Sequence, residues 1–595
     1  QHIKTFVVAF GIDSGLTDVP ASYQAGAYDW GASEDANFKI KDLHHAAVNG
    51  RGAYLDAQNP AELTSALEQA FSEFSSGIGA GSAVSFNSQE ITNGVVLFRS
   101  FYNLLENSGD VVAATLDADL NVGANIWSTA SELDDQLLGG VSARDIFTFD
   151  PVSNEGVPLS LANLSVAQKT ALGWLADGSM DAVVTEKINY FRGSAADEQP
   201  NGDYRTRPTE NGRLGDIINS SPVFIGAPEA LFRGGIHFPT GANSYAAFKT
   251  AQAARADRLY VSANDGMLHS IDPETGEEVF AYMPDATLTN ASNTKATELL
   301  SPSYDHQYIL DATPVVEDIY GYAKDAAAKS WRTVLIGAFG AGGKGLFALD
   351  VTDPNITESN ADDVVLWEFT DMDDTHPKDS NGMLLQAGGR GLRTYSLGRP
   401  VRDFGLTIDE PVIVMSNVKS ADADGNLEWM ALQSSGLNST SGIAKLFGLF
   451  IDRGQDGVWC HPDSVDTEGS LRSGCAASDY DFFKIDTGFG SLTEDGNILP
   501  NGLGSPRAID ADQDGTADYV YAGDLRGNLY RFDLCRSDLP EWEATSALTE
   551  YSGAAGQCKK GTDIFSSWSV QTIFSATYTD SGGTVTAQPI LNKPL

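Results

Sequence analysis

The sequence is poor in basic residues and in long apolar runs. Lys and Arg number 38 against 81 Asp and Glu, which gives a formal net charge of −43 at pH 7. Such a charge repels nucleic acid and anionic membrane surfaces, so divalent cations and basic protein surfaces are the compatible partners. A purely solubilising role is the simpler explanation of the charge and does not exclude a local cation site. No run of about 18 apolar residues occurs, which predicts no direct membrane insertion.

Cysteine is scarce as well, with four in 595 residues, arranged as two local pairs around polar loops. Neither pair has the C-x-x-C spacing of a zinc site, although His461 lies beside the first pair. The pattern favours two disulfides in an exported protein, Cys460–Cys475 and Cys535–Cys558. A zinc site and four free buried thiols are the alternatives.

The N-terminal segment has an α/β pattern. The chain begins at Gln1 without a signal peptide, so we expect an export signal upstream. A strand, "IKTFVVAFGID", is followed by the strand-like "GAYLDA" and by apolar residues at helical spacing in "PAELTSALEQAFSEF". Residues 1–78 thus resemble the C-terminal part of a von Willebrand factor A domain. The D-x-S-x-S metal site of that fold would lie upstream of Gln1.

From residue 79 onward, short strands and glycine turns recur at a long interval. Opening strands begin at prolines spaced 83 to 97 residues apart, namely Pro222, Pro314, Pro411, Pro506 and Pro589. A recurring four-stranded unit is typical of a β-propeller, whose blades have about 40 to 50 residues, so each blade here carries a long inserted loop. We therefore predict a mainly β fold, with a propeller over 79–595, a helical insertion at about 157–214 and incomplete last blades.

The stretch "DADQDGTAD" is the strongest candidate site. Its carboxylates stand at the first, third, fifth and ninth positions of a calcium loop, and Gly515 stands at the sixth, where such a loop bends. The carbonyl of the seventh residue is a further ligand. The predicted ligands are Asp510, Asp512, Asp514, Thr516 and Asp518. Position twelve is Tyr521, so the glutamate of a complete EF-hand is absent, and the alternation that follows predicts a β-hairpin.

Weaker patterns have simpler explanations. Gly340, Gly342 and Gly345 match G-x-G-x-x-G, but a strand rather than a helix follows them, which favours a hairpin turn over a phosphate loop. Asp422 and Asp424 lack further ligands and are typical of a solvated turn.

His44 and His45 have no partnered cysteine or carboxylate pattern, so packing is a simpler explanation than catalysis. No nucleophile elbow or Ser-His-Asp pattern stands out. We therefore predict no catalytic residues and no enzymatic activity.

Four stretches together resemble one family. They are "DLHHAAVNGRGAYLDAQNPAEL", "LGDIINSSPVFIG", "GLNSTSGIAKLFGLFID" and "DADQDGTADYVYAGDLRGNLYRFDL". In this order they are similar to the PilC/PilY family of type IV pilus tip and assembly proteins. The resemblance implies a modified seven-bladed propeller after an A-type domain, and a Ca²⁺ bound by the five ligands named above.

The resemblance also implies a role and a location. Members of the family are exported through the periplasm to the cell surface, where they sit at the pilus tip with minor pilins. They act as adhesins on abiotic or cellular surfaces and in the control of pilus extension and retraction. No Arg-Gly-Asp motif occurs in this sequence, so integrin binding is not supported.

The alternative is an enzyme. "HSIDPETGEEVFAY" resembles blades of pyrroloquinoline-quinone dehydrogenases, which are also propellers. Those enzymes often hold the quinone against adjacent cysteines, and no Cys-Cys pair occurs here. Because a shared fold does not carry function with it, we expect the pilus role.

Overall fold

The computed structural model describes most of the chain. The described residues are 7–10, 54–57, 78–86, 95–116, 122–230, 232, 238–375, 402–419, 426–461, 471–476, 480–492, 498–511, 513, 515–534, 569–579 and 585–594. The chain divides into two compact units. One comprises Gln1–Gly79 with Asn103–Leu105, and the other comprises Ala80–Tyr102 with Glu106–Leu595.

In the first unit the structure describes a parallel pair of strands. β1 (Val7–Phe10) pairs with β2 (Tyr54–Ala57), with Val7 opposite Tyr54. Parallel strands need a crossover connection, as in an α/β domain. The similarity of residues 1–78 to an A-type domain stays a prediction, and His44 and His45 lie outside the described residues.

Five sheets of sequential strands dominate the rest of the described chain. Sheet 1 comprises β3 (Ile78–Phe86), β4 (Val96–Asn103), β5 (Ser108–Leu116) and β6 (Val122–Ser128). Sheet 2 comprises β9 (Val223–Ile225), β10 (Arg258–Ala263), β11 (Met267–Ile271) and β12 (Glu278–Met283), and is extended by β7 (Ile146–Asp150) and β8 (Glu155–Pro158). Sheet 3 comprises β13 (Val315–Tyr322), β14 (Lys329–Ala338), β15 (Gly345–Asp350) and β16 (Val365–Thr370).

The last two sheets carry the candidate site. Sheet 4 comprises β17 (Val412–Lys419), β18 (Leu427–Ser434), β19 (Lys445–Phe450) and β20 (Phe482–Asp486). The short pair β21 (Ser491–Leu492) and β22 (Ile498–Leu499) follows. Sheet 5 comprises β23 (Arg507–Ile509), β24 (Tyr519–Gly523), β25 (Asn528–Asp533) and β26 (Ser569–Ser575). β27 (Thr577–Thr579) and β28 (Val585–Ala587) form a final pair.

Helices are few in the described residues and lie between strands. Those with α-helical bonding are α1 (Thr129–Leu137), α2 (Val166–Ala171), α3 (Asp181–Phe191), α4 (Tyr245–Ala251), α5 (Asp285–Leu288) and α6 (Ala361–Val364). α2 begins at a capping box formed by Ser165 and Gln168. α2 and α3 occupy the segment where we predicted helices, and their apolar faces pack on sheet 2 through Met267 and Met283. No helix described here has the length and apolar character needed to cross a membrane.

The core consists of apolar layers between consecutive sheets. Alternating residues of β10 show why, since Leu259 and Val261 pack with sheet 1 while Tyr260 packs with sheet 3. A third layer joins sheets 3 and 4 through Trp331, Trp367 and Trp429, and a fourth joins sheets 4 and 5. Both faces of an inner sheet are therefore buried. The mainly β propeller fold is confirmed, whereas the number of blades beyond the five described sheets stays a prediction.

The proline repeat corresponds to the sheets. Pro222, Pro314, Pro411 and Pro506 each directly precede the first strand of a sheet. Equivalent residues of neighbouring repeats also bond to each other. The amide of Asn219 donates to Asp311 at 3.2 Å, and the amide of Ser221 donates to the Thr313 hydroxyl at 3.0 Å, each across 92 residues.

The last predicted opening strand is absent from the described residues. No strand follows Pro589 in residues 588–594. Instead, the amide of Ile590 donates to the carbonyl of Asp524, and the carbonyl of Leu591 accepts from the amide of Ser505. These two bonds hold the segment along sheet 5, so it does not begin a sheet there.

One of the two predicted disulfides lies within the described residues. The Cys460–Cys475 disulfide is confirmed, with 5.5 Å between Cα atoms, which excludes zinc and free thiols for this pair. Cys535 and Cys558 lie outside the described residues, as do Asp422 and Asp424.

The glycine motif is a hairpin turn, as predicted. A short 3₁₀ turn, Gly340–Gly342, leads into β15. A Cβ at Gly342 would lie 2.4 Å from the carbonyl oxygen of Ile309, so packing explains that glycine.

Candidate metal centre

The acidic loop joins the first two strands of sheet 5. β23 and β24 are antiparallel, with Ile509 opposite Tyr519. The amide of Asp518 donates to the carbonyl of Ile509 at 2.9 Å and closes the base of the loop. The prediction that the loop begins a hairpin, and does not join two helices, is confirmed.

Asp510 folds the loop back on itself. Its Oδ1 accepts from the amide of Gln513 at 2.7 Å, and its Oδ2 accepts from the amide of Gly515 at 2.8 Å. The chain reverses through positive φ values of 64° at Gln513 and 96° at Gly515. A Cβ at Gly515 would also come within 3.2 Å of the Phe238 ring. The positive φ therefore favours glycine at the sixth position, and the Phe238 ring would have to shift slightly to admit a side chain there.

Asp518 lies at the same end of the loop as Asp510. It is 1% exposed, and its Oδ2 accepts from the amide of Ala511 at 2.7 Å. Because Ala511 directly follows Asp510, this bond holds Asp518 at the start of the loop. A carboxylate oxygen has two lone pairs, so each group can bind a cation while it keeps its backbone hydrogen bonds.

Thr516 attaches the loop to the neighbouring sheet. It is 1% exposed and forms an isolated parallel bridge with Met415 of β17. The next amide, that of Ala517, donates to the carbonyl of Met415 at 2.9 Å. β17 is irregular after Met415, where its register with β18 shifts. The loop therefore contacts sheet 4 through its backbone as well as belonging to sheet 5.

The described ligands fit a hard cation. Asp512 and Asp514 lie outside the described residues. Within the described residues, no group of three or more His, Cys, Asp or Glu side chains is arranged so that it could hold a metal ion. Of the five predicted ligands, the structure describes the carboxylates of Asp510 and Asp518 and the backbone carbonyl of Thr516, which are oxygen donors of the type that calcium prefers. The assignment of the five residues as calcium ligands stays a prediction.

Sequence reasoning missed a second cluster of charges, which lies inside sheet 2. His269 Nδ1 is 2.7 Å from Glu278 Oε2, and its Nε2 is 3.2 Å from the Asp265 carboxylate. Arg144 donates to both oxygens of Glu278, at 2.7 and 2.8 Å. His269, Glu278 and Arg144 have side chains 1% exposed. Since the four residues come from different strands and turns, only the strand register could have indicated that they meet.

The electrostatics of this cluster favour ionised side chains. Burial opposes the charge on His269, but Asp265 and Glu278 outweigh it and raise the pKa of His269 to about 9. Burial would likewise raise the pKa of Glu278, but Arg144 and His269 lower it to about 2. His269 is therefore a cation at neutral pH, with both ring nitrogens facing carboxylates, and has no lone pair for general base chemistry.

The sequence comparisons agree on one family. The family model described as the PilY1 beta-propeller domain matches residues 214–402 and 468–593, more than half of the chain. The type IV pilus biogenesis factor PilY1 of Pseudomonas aeruginosa strain PAK is 30% identical over 620 residues. The match covers 99% of this chain and 45% of that protein, so the chain spans less than half of this relative.

Two solved structures match less closely. The crystal structure of the Pseudomonas aeruginosa PilY1 C-terminal domain has 30% identity and a TM-score of 0.36, and the match covers 59% of this chain and 51% of that one. A quinohemoprotein alcohol dehydrogenase from Pseudomonas putida HK5 has 11% identity and a TM-score of 0.25, covering 84% and 44%. Both TM-scores are below 0.5, so the family assignment depends on the sequence matches.

Proposed function

Because the chain belongs to the PilY1 β-propeller family, we propose that it is a calcium-binding factor of type IV pilus biogenesis. Its role is surface attachment and the control of pilus extension and retraction. The observation that supports this most directly is the loop at 510–518, which closes through Asp510 and Asp518 and contacts the next sheet through Thr516.

Calcium would be held by Asp510, Asp512, Asp514, Asp518 and the carbonyl of Thr516. Four carboxylates within nine residues repel one another, and a divalent cation offsets that repulsion. The loop is the connection between β23 and β24 and also contacts Met415 of sheet 4. Bound calcium would thus stabilise the contact between two blades, and its loss would loosen this region without unfolding the rest of the propeller.

The proposed partners and location follow from the family. We infer that minor pilins bind the propeller at the pilus tip, and that an abiotic or cellular surface is the adhesion target. The strong negative charge favours basic or neutral partner surfaces. A disulfide is typical of proteins exported from the cytosol, in agreement with a location at the cell surface.

A quinone-dependent dehydrogenase is not favoured. The relative that is 30% identical is named a pilus biogenesis factor. The polar His269 cluster is closed by its own ion pairs. Non-catalytic roles in binding and assembly therefore agree better with the sequence matches and with the chemistry of the described residues.

The test compares Asp518→Asn with Asp363→Asn. Asn at position 518 keeps a side-chain oxygen for the Ala511 amide but removes a ligand charge, whereas Asp363 is an exposed residue of α6 far along the chain from the loop. Calorimetry should show at least about tenfold weaker calcium binding in Asp518→Asn and no change in Asp363→Asn. In cells that carry the full-length protein, Asp518→Asn should change the frequency of pilus retraction.

Two outcomes would contradict different parts of the proposal. Unchanged calcium affinity in Asp518→Asn would refute the ligand assignment. Lost calcium affinity with unchanged attachment and retraction would refute the control role and leave calcium as a structural ion. Tryptophan fluorescence offers a second measure of calcium binding, because Phe238 beside Gly515 lies 5.7 Å from the ring of Trp331.

A further inference from the structure

A small basic pocket lies between sheets 1 and 2, far along the chain from the acidic loop. Its walls come from five segments, namely Asn107 before β5, the end of α3, the segment 205–215, the turn between β10 and β11, and Leu299. Arg205, Arg207 and Arg213 line it together with Tyr190 and Asp265. Three arginines around one pocket are unexpected in a chain with a net charge of −43.

Arg207 and Asp265 are held by the protein itself. Arg207 donates to Glu198 at 2.7 Å, to the carbonyl of Tyr190 at 2.9 Å and to the carbonyl of Ser194 at 2.6 Å. Asp265 accepts from the amides of Gly215 and Met267 and faces the ring of His269. These two residues shape the pocket, and their charges are matched.

Arg205 and Arg213 are matched less completely. Arg213 shares Glu198 with Arg207, at 3.1 Å, so one carboxylate serves two guanidinium groups. Arg205 lies over the ring of Tyr304, 4.9 Å from its centroid, and donates to the Tyr190 hydroxyl at 3.4 Å. Among the described residues it forms no ion pair.

The charge count leaves an excess of two positive charges. Arg144 is matched by Glu278, and His269 by Asp265. Arg207 and Arg213 share the single carboxylate of Glu198, and Arg205 forms no ion pair among the described residues. Unmatched guanidinium donors at a partly desolvated site favour an anion with planar oxygen acceptors, and a carboxylate fits the fork of an arginine.

The dimensions of the pocket limit the ligand. The cavity volume is about 20 Å³, and the pocket is partly open to solvent. That space accommodates the head of one carboxylate, with the rest of its molecule outside, and excludes a nucleotide or a sugar ring.

We propose that this pocket binds a single carboxylate, with Arg205 and Arg213 as the residues that contact it. The carboxylate belongs either to a free organic acid or to an acidic group of a partner polypeptide. Arg207, held by Glu198 and by backbone carbonyls, is a positioning residue that keeps the wall of the pocket in place.

The experiment uses the whole chain and two probes. Calorimetry with acetate tests a free organic acid, and calorimetry with an acetylated dipeptide that ends in a free carboxylate tests a polypeptide source. The amide of the same dipeptide is the control ligand. At least one of the two acids should bind, the amide should not, and Arg205→Gln should weaken binding about tenfold.

The control variant is Arg99→Gln. Arg99 lies in β4, where its side chain contacts Asn125 and the Phe101 ring, and it does not line the pocket. Removing this charge should leave the affinity for acetate and for the peptide acid unchanged. Arg205→Lys, which keeps the charge but not the planar fork, should bind with intermediate affinity.

The outcomes distinguish the two sources of the carboxylate and also test the proposal itself. Binding of both acids indicates that any accessible carboxylate is accepted, and binding of the peptide acid alone indicates a partner polypeptide. Equal affinity in wild type and Arg205→Gln, equal binding of acid and amide, or binding of neither acid would overturn the proposal. Calcium titration of the same samples should be unaffected, so this result is independent of the calcium site.

Discussion

The acidic loop at 510–518 and the buried cluster around His269 both gather ionised side chains, but they offset the repulsion differently. In the loop the charges have one sign and Asp510 is exposed, so a counterion would have to come from solution. In the cluster two cations, Arg144 and His269, meet the two anions Glu278 and Asp265. A cluster whose charges are balanced within the protein therefore stabilises the fold, whereas a cluster with charges of one sign is a candidate ligand site.

The largest expected effect comes from unbalancing the buried cluster. Arg144→Met would leave Glu278 buried with one cation fewer, and breaking a buried pair from one side costs about 3–5 kcal/mol of the free energy of unfolding. Urea denaturation measures this loss, with Arg99→Gln, at a half-buried arginine outside the cluster, as the control. The double variant Arg144→Met with Glu278→Gln should regain part of the lost free energy of unfolding, because position 278 then carries no charge. A loss below about 1 kcal/mol would show that the cluster does not hold sheet 2 together.

The pH dependence of stability should follow next in size. The folded pKa of His269 is raised from 6.5 to about 9, so its contribution is fully present below pH 6.5 and is lost as pH rises through about 9. The free energy of unfolding should fall by about 3 kcal/mol over that interval. His269→Gln should remove this part of the slope. An identical slope in wild type and variant would mean that His269 is neutral in the fold.

The smallest effect should come from the backbone of the acidic loop. Gln513 has a φ of 64°, which glycine adopts more readily than glutamine does. Gln513→Gly should therefore raise stability without calcium by less than about 1 kcal/mol. Saturating calcium should raise the melting temperature of both proteins, because the ion would bind the folded loop and not the unfolded chain. Thermal unfolding with and without calcium measures both effects, and a melting temperature that calcium leaves unchanged would argue against an ion at this loop.

The sequence predicted the features that depend on local spacing. The prolines indicated where four sheets begin, and the D-x-D-x-D-G pattern indicated the loop, its bend at Gly515 and its hairpin. Residue spacing alone could not predict contacts between strands. His269 and Glu278 are nine residues apart on adjacent strands, and Arg144 joins them from a segment more than a hundred residues earlier. The arginine pocket was missed for the same reason, since its walls come from five separate segments.

The parallel pairing of β7 with the outer strand of sheet 2 has a topological consequence. β7 precedes the helices α2 and α3, yet Ile146 pairs with Ala281 and Thr148 with Met283, both far downstream of those helices. The chain therefore leaves sheet 2 after β8, at one edge, and returns to it at β9, at the opposite edge. The helical segment connects these two edge strands. Because the sheet fixes both ends of this segment, insertions in its exposed turns can change its length while the blade remains continuous, whereas the residues of α2 and α3 that pack on Met267 and Met283 must stay apolar.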